Sequence, residues 1–154
     1  MQLEVKINLI LHATENEKKV FEELENNFQI EQSEFQVEEV SGHFNNPILL
    51  ISSKLKRKTA QNFVSLFFSK MKKEEFEEIF NYVEDYVTSS GLSLRISKQK
   101  LMSGILALSR EDTIKINIST PVYVKNETKK IYQELMRKCS IDHLIIFMSN
   151  SRRE

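Results

Sequence analysis

Three segments of this 154-residue chain alternate apolar and polar residues with a period of two. They cover residues 4–12, 92–97 and 113–119, and Ile10 is the exception to the alternation in the first. Because successive side chains of a strand point to opposite faces, each segment predicts a half-buried strand. Together they predict an antiparallel sheet with one packed face and one polar face.

The polar positions of these strands, and of a fourth over residues 48–55, share one character. They are basic, amide or hydroxyl side chains: Lys6, Asn8, Ser52, Lys54, Arg95, Lys115 and Asn117. If the helices of the chain cover the other face of the sheet, we expect these side chains to line the uncovered face.

A turn at residues 42–47 separates two further apolar segments, residues 34–40 and 48–55. Gly42 allows positive φ, and Pro47 fixes its own φ and favours extended backbone before it. A short connection between adjacent strands is typical of an antiparallel hairpin. We therefore predict a hairpin with two asparagines, Asn45 and Asn46, at its tip.

Helical spacing of apolar residues indicates four helices. The first follows a capping-box pattern at Thr14 and Glu17, and the last begins at Asn126 or Thr128. The second covers residues 59–71, and the third ends at Gly91, which suits a helix C-terminus. Two apolar runs, Ile105–Leu108 and Leu144–Met148, are typical of strands.

These elements predict an α+β domain, residues 1–154, with an antiparallel sheet and helices packed on one face. The single Cys139 has no internal disulfide partner, so we expect a reducing, cytoplasmic location. No apolar run approaches the ~20 residues that span a bilayer, so no membrane partner is expected.

The net charge is zero, but the charges are sorted along the chain. Residues 1–46 hold ten acidic and three basic side chains, whereas residues 47–73 hold seven basic and no acidic ones. Residues 74–88 are acidic, and residues 89–110 carry four basic side chains and no acid. This sorting favours a polyanion partner if the basic segments share a face, while local neutralisation is the alternative.

Nothing in the chain matches an enzyme motif. His12, His43 and His143 have no partner at metal-ligand spacing, and no activating base accompanies Cys139. Phosphate-binding, zinc-hydrolase and nucleophile-elbow motifs are missing. We therefore expect no catalysis, no metal and no cofactor.

Three blocks of the chain resemble an archaeal RNA-binding family formerly described only as a domain of unknown function. They are Leu11–Val20, Gly42–Ile48 and Leu94–Lys100, the last leading to Gly104. The similarity covers about residues 3–122, and the helix and strand within residues 123–148 are particular to this chain. Some members of the family are predicted exosome subunits.

The resemblance implies a fold similar to the ribosomal protein that binds 5S rRNA, an RNA partner and no catalytic residues. The matching positions are Thr14, Glu15, Gly42, His43, Asn46, Pro47, Arg95, Lys98, Gln99 and Gly104. The chain departs at Asn45, where the family has Gly, and at Leu101–Ser103, where an aromatic residue is usual.

From these observations we expect a non-catalytic RNA-binding protein, associated with the exosome or RNA processing, that contacts phosphates. The expected RNA-binding residues are His43, Asn45, Asn46, Lys54, Lys56, Arg57, Lys58, Arg95, Lys98, Gln99 and Lys100. The polar strands offer almost no aromatic side chains, so base stacking is not expected. The alternative is a protein-interaction module, a subunit of a larger complex or a homodimer, that pairs through an exposed strand.

Overall fold

A computed structural model describes residues 2–139 of the chain. The strands are β1 (Glu4–His12), β2 (Phe35–Ser41), β3 (Pro47–Lys56), β4 (Val87–Thr88), β5 (Gly91–Ser97) and β6 (Thr113–Ser119). The helices are α1 (Glu17–Phe28), α2 (Arg57–Lys70), α3 (Lys73–Asn81), α4 (Val83–Tyr86), α5 (Lys98–Leu101) and α6 (Thr128–Cys139). The predicted closing strand Leu144–Met148 lies outside the described residues.

The six strands form one sheet in the order β2-β3-β1-β6-β5-β4, and each neighbouring pair is antiparallel. The predicted α+β class and the β2–β3 hairpin are confirmed. Strand β1 lies inside the sheet and its side chains alternate strictly between buried and exposed beyond Glu4. That alternation is possible only if one face of the sheet is packed and the other is uncovered.

The packed face carries the hydrophobic core, in which aromatic rings of α1 and α2 interlock. The Phe63 ring lies 5.1 Å from that of Phe28 and 5.6 Å from that of Phe67, between centroids. All three are at most 2% exposed and belong to one cluster with the inward side chains of the strands. Burial of each such ring contributes roughly 2–3 kcal/mol. The apolar residues at helical spacing that predicted these two helices thus form part of the core.

The start of α1 differs from the predicted capping box. Asn16, and not Thr14, is the N-cap: its side-chain oxygen accepts a hydrogen bond from the Lys19 amide at 3.2 Å. Glu15 instead folds back, and its carboxylate accepts a bond from the His12 amide at 2.8 Å. Asn and Thr are both good caps, so the pattern alone did not distinguish two overlapping starts.

Two predictions in the second half of the chain are also wrong. Gly91 does not end a helix; it opens β5 with φ +125°, and an added Cβ would lie 2.5 Å from the Ile118 carbonyl oxygen. The run Ile105–Leu108 is not a strand and makes one bridge, Leu108 to Ile96. It covers the free edge of β5 beyond the two-residue β4, which explains its apolar composition.

Candidate nucleic-acid interface

The uncovered face of the sheet, called the open face below, is crossed by rows of side chains set by strand register. The central row runs Gln36, Ser52, Asn8, Lys115 and Arg95. The next row runs Lys54, Lys6, Asn117 and Ser93. These rows contain every residue expected on the polar face, so their shared face is confirmed, although Asn117 is buried, with 8% of its surface exposed.

Two pairs of like charge lie directly opposite each other on the open face. Lys6 of β1 faces Lys54 of β3, and Lys115 of β6 faces Arg95 of β5. All four side chains are exposed. Directly opposed like charges destabilise an antiparallel pair. Both pairs therefore destabilise the sheet by electrostatic repulsion, and both lie on the open face.

Little of this positive charge is neutralised by the protein. Lys54 makes an ion pair with Glu4 at 3.4 Å between Nζ and Oε1. Across residues 2–139 there is no ion pair to Lys6, Arg95 or Lys115. The open face can thus bind an anion without first breaking a strong internal pair.

A depression of about 800 Å³ lies on the open face beside these cations. Its lining includes Asn8, Lys115 and Arg95 from the central row. It also includes Ile10 and Leu50, which face each other in a third row and are 48% and 37% exposed. The depression is thus positive on one side and apolar in its middle.

Lys98 was expected to bind RNA, but the structure does not place it for that role. Its side chain is 2% exposed. Its Nζ donates to the Ile10 carbonyl oxygen at 2.6 Å and lies 2.9 Å from carboxylate oxygens of Glu15 and Asp112. Because these two carboxylates neutralise its charge, Lys98 is not part of the interface.

The other expected basic residues are exposed but divide between the two ends of the sheet. Lys56 ends β3, where that strand pairs with the start of β1, and Arg57 and Lys58 follow it. Gln99 and Lys100 follow the opposite end, after Ser97. A single binding surface would need Gly42–Ile48 and Arg95–Lys100, two segments that hold expected RNA-binding residues, to lie side by side. They share an end of the sheet but are separated by β1 and β6.

The hairpin tip differs from the expectation in its backbone. Gly42 does not have positive φ; an added Cβ would meet the end of the Ile48 side chain and lie 3.0 Å from the Asn46 carbonyl oxygen. Phe44 and Asn45 have φ of +58° and +59° instead. That conformation suits Gly or Asn, so Asn45 can replace the glycine expected from the family resemblance. His43 lies in the same turn.

Three residues of this surface were missing from the predicted site. Lys6 and Lys115 were recognised as polar-face positions, but the site was chosen from runs of charge, to which neither belongs. The third is Phe44 at the hairpin tip, which is 94% exposed. Its signal was a lone aromatic residue inside a polar turn.

The described residues contain no group of His, Cys, Asp and Glu that could hold a metal ion. Burial raises the pKa of the Cys139 thiol, which lowers its nucleophilicity near neutral pH. In the part of the chain that the structure covers, no helix has both the length and the apolar character to cross a membrane.

Comparison with known proteins places the chain in a family. The sequence model of a family described as RNA binding matches residues 4–120. The chain belongs to this RNA-binding family. The RNA-binding protein PAB1135 from Pyrococcus abyssi is 32% identical over 126 residues, which cover 77% of this chain and 82% of that protein. Both names describe RNA-binding proteins and neither describes an enzyme.

Solved archaeal structures agree with this assignment and carry the designation DUF54. Protein AF2318 from Archaeglobus fulgidus has a TM-score of 0.73 and 26% identity, covering 88% of this chain and 99% of that one. Protein SSO0741 from Sulfolobus solfataricus has a TM-score of 0.69 and 26% identity, covering 88% and 95%. The RNA-binding family was thus formerly a domain of unknown function, as the resemblance implied.

Proposed function

We propose that the protein binds RNA through phosphate contacts on the open face of its sheet. The observation that carries the proposal is the pair of like-charged cross-strand contacts, Lys6 with Lys54 and Lys115 with Arg95. Their repulsion is relieved when an anion lies between or above them. RNA supplies anions at a regular spacing, and Lys and Arg bind them without reading sequence.

Residues at the two ends of the sheet extend this proposal. Asn45, Asn46 and His43 at the hairpin end, and Gln99 and Lys100 after β5, would contact an RNA that passes beyond the open face. Lys56, Arg57 and Lys58 would do so at the opposite end. The exposure of Asn45, Asn46 and Gln99 and the exposed charges of the four basic residues support these contacts, and His43 is included because it lies in the same turn.

Salt titration of RNA binding tests the proposal. We expect the logarithm of the affinity to fall linearly with the logarithm of salt concentration, by about 0.7 per phosphate contact. Replacing Arg95 and Lys115 by Ala should make the slope shallower by about 1.4, because two contacts are lost. The matched control replaces Lys18 and Lys72, exposed lysines away from the open face, and should keep the slope.

Two results would contradict phosphate binding by the open face. One is the absence of RNA binding at low salt by the wild-type protein. The other is an equal loss of slope in both double variants, since this would mean that net charge alone, and not the open face, attracts RNA.

We further propose a role in RNA processing, with association with the exosome and a cytoplasmic location. The resemblance described above and the family membership support the RNA-processing role. The similarity to the 5S rRNA-binding ribosomal protein, which that resemblance also implies, stays a prediction.

A second candidate function is a protein interface at β2, the outer strand of the sheet. Val37 of this strand is 45% exposed, and Phe44 follows at the hairpin tip. A long edge strand with exposed apolar side chains can pair with a strand of a partner or of a second copy. A subunit or homodimer role would use this edge and leave the open face available.

Light scattering and affinity capture after nuclease treatment test the β2 interface. A dimer or complex that survives nuclease, and that the variant Val37→Lys loses, would support it. A monomer without nuclease-resistant partners would contradict it. Ile105→Lys is the matched control, because Ile105 has nearly the same exposure, 44%, and lies outside the strands.

A further inference from the structure

The third row of the open face holds an aliphatic pair that phosphate binding does not explain. Ile10 faces Leu50, and Leu50 faces Glu38 on the outer strand. Ile10 is the one residue of β1 that breaks the apolar–polar alternation, and it is 48% exposed. Exposing such side chains gains nothing in folding, because each would be more stable removed from water.

Charge is distributed unevenly around this pair. Lys115 and Arg95 lie on one side, on β6 and β5, while Gln36 and Glu38 lie on the other side, on β2. All belong to the same depression of about 800 Å³. Asp112 also lines the β6 side, where its carboxylate is ion-paired with Lys98. The floor therefore changes from mainly cationic, through aliphatic, to amide and carboxylate across the sheet.

The distance between neighbouring strands sets the size of the ligand that would fit this depression. Lys115 lies on β6, on one side of the strand that holds Ile10. Leu50 lies on β3 and Glu38 on β2, the first and second strands on the other side. Neighbouring strands are about 4.8 Å apart, so the apolar pair and Glu38 extend over about 10 Å. A ligand that fits has an anionic group at one end, a flat apolar body, and hydrogen-bond donors at the far edge.

We propose that the depression binds an unpaired nucleotide of single-stranded RNA. The phosphate lies at Lys115 and Arg95, and the base covers Ile10 and Leu50. The far edge of the base reaches Gln36 and Glu38. This inference rests on the proposed RNA binding and specifies its substrate class.

A duplex fits the same surface poorly. Its bases are stacked on one another, so the aliphatic pair stays uncovered. Its second strand would bring phosphates towards Glu38, where like charges repel. Aliphatic side chains can cover a base that has left its stack, as apolar pockets do for flipped bases.

Glu38 would then influence which base is bound. A carboxylate accepts hydrogen bonds and donates none, so it favours bases with an exocyclic amino group, as Glu does with cytosine N4. We expect cytosine and adenine to be preferred over uracil at this position. Glu38→Gln should weaken that preference, because the amide can both donate and accept.

Three probes of equal length test the inference: an unpaired RNA, the same sequence closed in a duplex, and a ribose–phosphate strand without bases. We expect the wild-type protein to bind the unpaired RNA about tenfold more tightly than the other two, because a base that covers Ile10 and Leu50 removes apolar surface from water. Replacing Ile10 and Leu50 by Ser should remove that advantage. Binding of the other two probes should persist, which also reports that the variant is folded.

The matched control is Ile105→Ser, which removes a similarly exposed aliphatic side chain outside the sheet and should leave all three affinities unchanged. Equal binding of the three probes by the wild-type protein, with no effect of the Ile10 and Leu50 substitutions, would overturn the inference and leave phosphate binding intact. Failure of every probe to bind at low salt would reject the proposed function itself.

Discussion

Arg95 and Lys98 are three residues apart in sequence, and both are basic, yet the fold uses them in opposite ways. Arg95 is exposed on the open face and faces another cation, Lys115. Lys98 is 2% exposed and lies between the carboxylates of Glu15 and Asp112. The charge of Arg95 is therefore available to a ligand, whereas the charge of Lys98 is paired with carboxylates of the protein itself.

The difference arises at Ser97, where β5 ends. The Ser97 hydroxyl oxygen accepts a hydrogen bond from the Lys100 amide at 3.1 Å and begins the short helix α5. Strand alternation no longer applies beyond this point, and the turn directs Lys98 towards the end of β1. A basic residue beside a chain reversal is therefore weaker evidence for ligand binding than one within a regular strand.

The largest effect is expected from Lys98→Met, which keeps the length of the side chain but leaves Glu15 and Asp112 without their shared cation. Hydrogen bonds to charged groups contribute about 1.5–3 kcal/mol. Because Glu15 and Asp112 are partly exposed and stay hydrated when Lys98 is lost, we expect a decrease of about 2 kcal/mol in unfolding free energy, measured by urea denaturation. The salt dependence of RNA binding should not change at temperatures where the variant is folded.

Lys100→Met is the matched control for this substitution. Lys100 is exposed, so its loss should change the unfolding free energy by less than about 0.5 kcal/mol. Equal stability of the two variants would mean that the Lys98 ion pairs contribute nothing, and the contrast between Arg95 and Lys98 would fail.

This contrast also marks what could be predicted from sequence. The open face was predictable because alternation is local: positions two residues apart on β1, β5 and β6 share a face. Partners of Lys98 were not predictable, since Glu15 is 83 positions away and meets it only through the sheet order. The like-charged pairs on the open face were also not predictable, because strand order and register determine which residues lie opposite each other.

The hairpin tip shows a different limit. Gly42 and Pro47 correctly predicted a turn, but Gly42 does not have positive φ and lies instead close to the Ile48 side chain and the Asn46 carbonyl oxygen. Phe44 adopts positive φ, which is costly for an aromatic residue and has no signal in composition. Residue type located this turn, and only the backbone conformation shows which positions carry the strain.

A smaller effect, of opposite sign, is expected on the Arg95 side of the comparison. Lys115→Glu would convert the opposed cations into an ion pair. Cross-strand pairs of opposite charge contribute roughly 0.2–1 kcal/mol, and the like-charge repulsion is removed as well. We expect the variant to be more stable by about 0.5–1 kcal/mol, a rise of about 2 °C in Tm, and to bind RNA more weakly.

Lys115→Gln removes the repulsion without creating an attraction, so its Tm should lie between those of the wild type and Lys115→Glu. Higher stability together with weaker RNA binding in Lys115→Glu would mean that Lys115 serves ligand binding. Lower stability together with weaker RNA binding would mean that Lys115 stabilises the sheet.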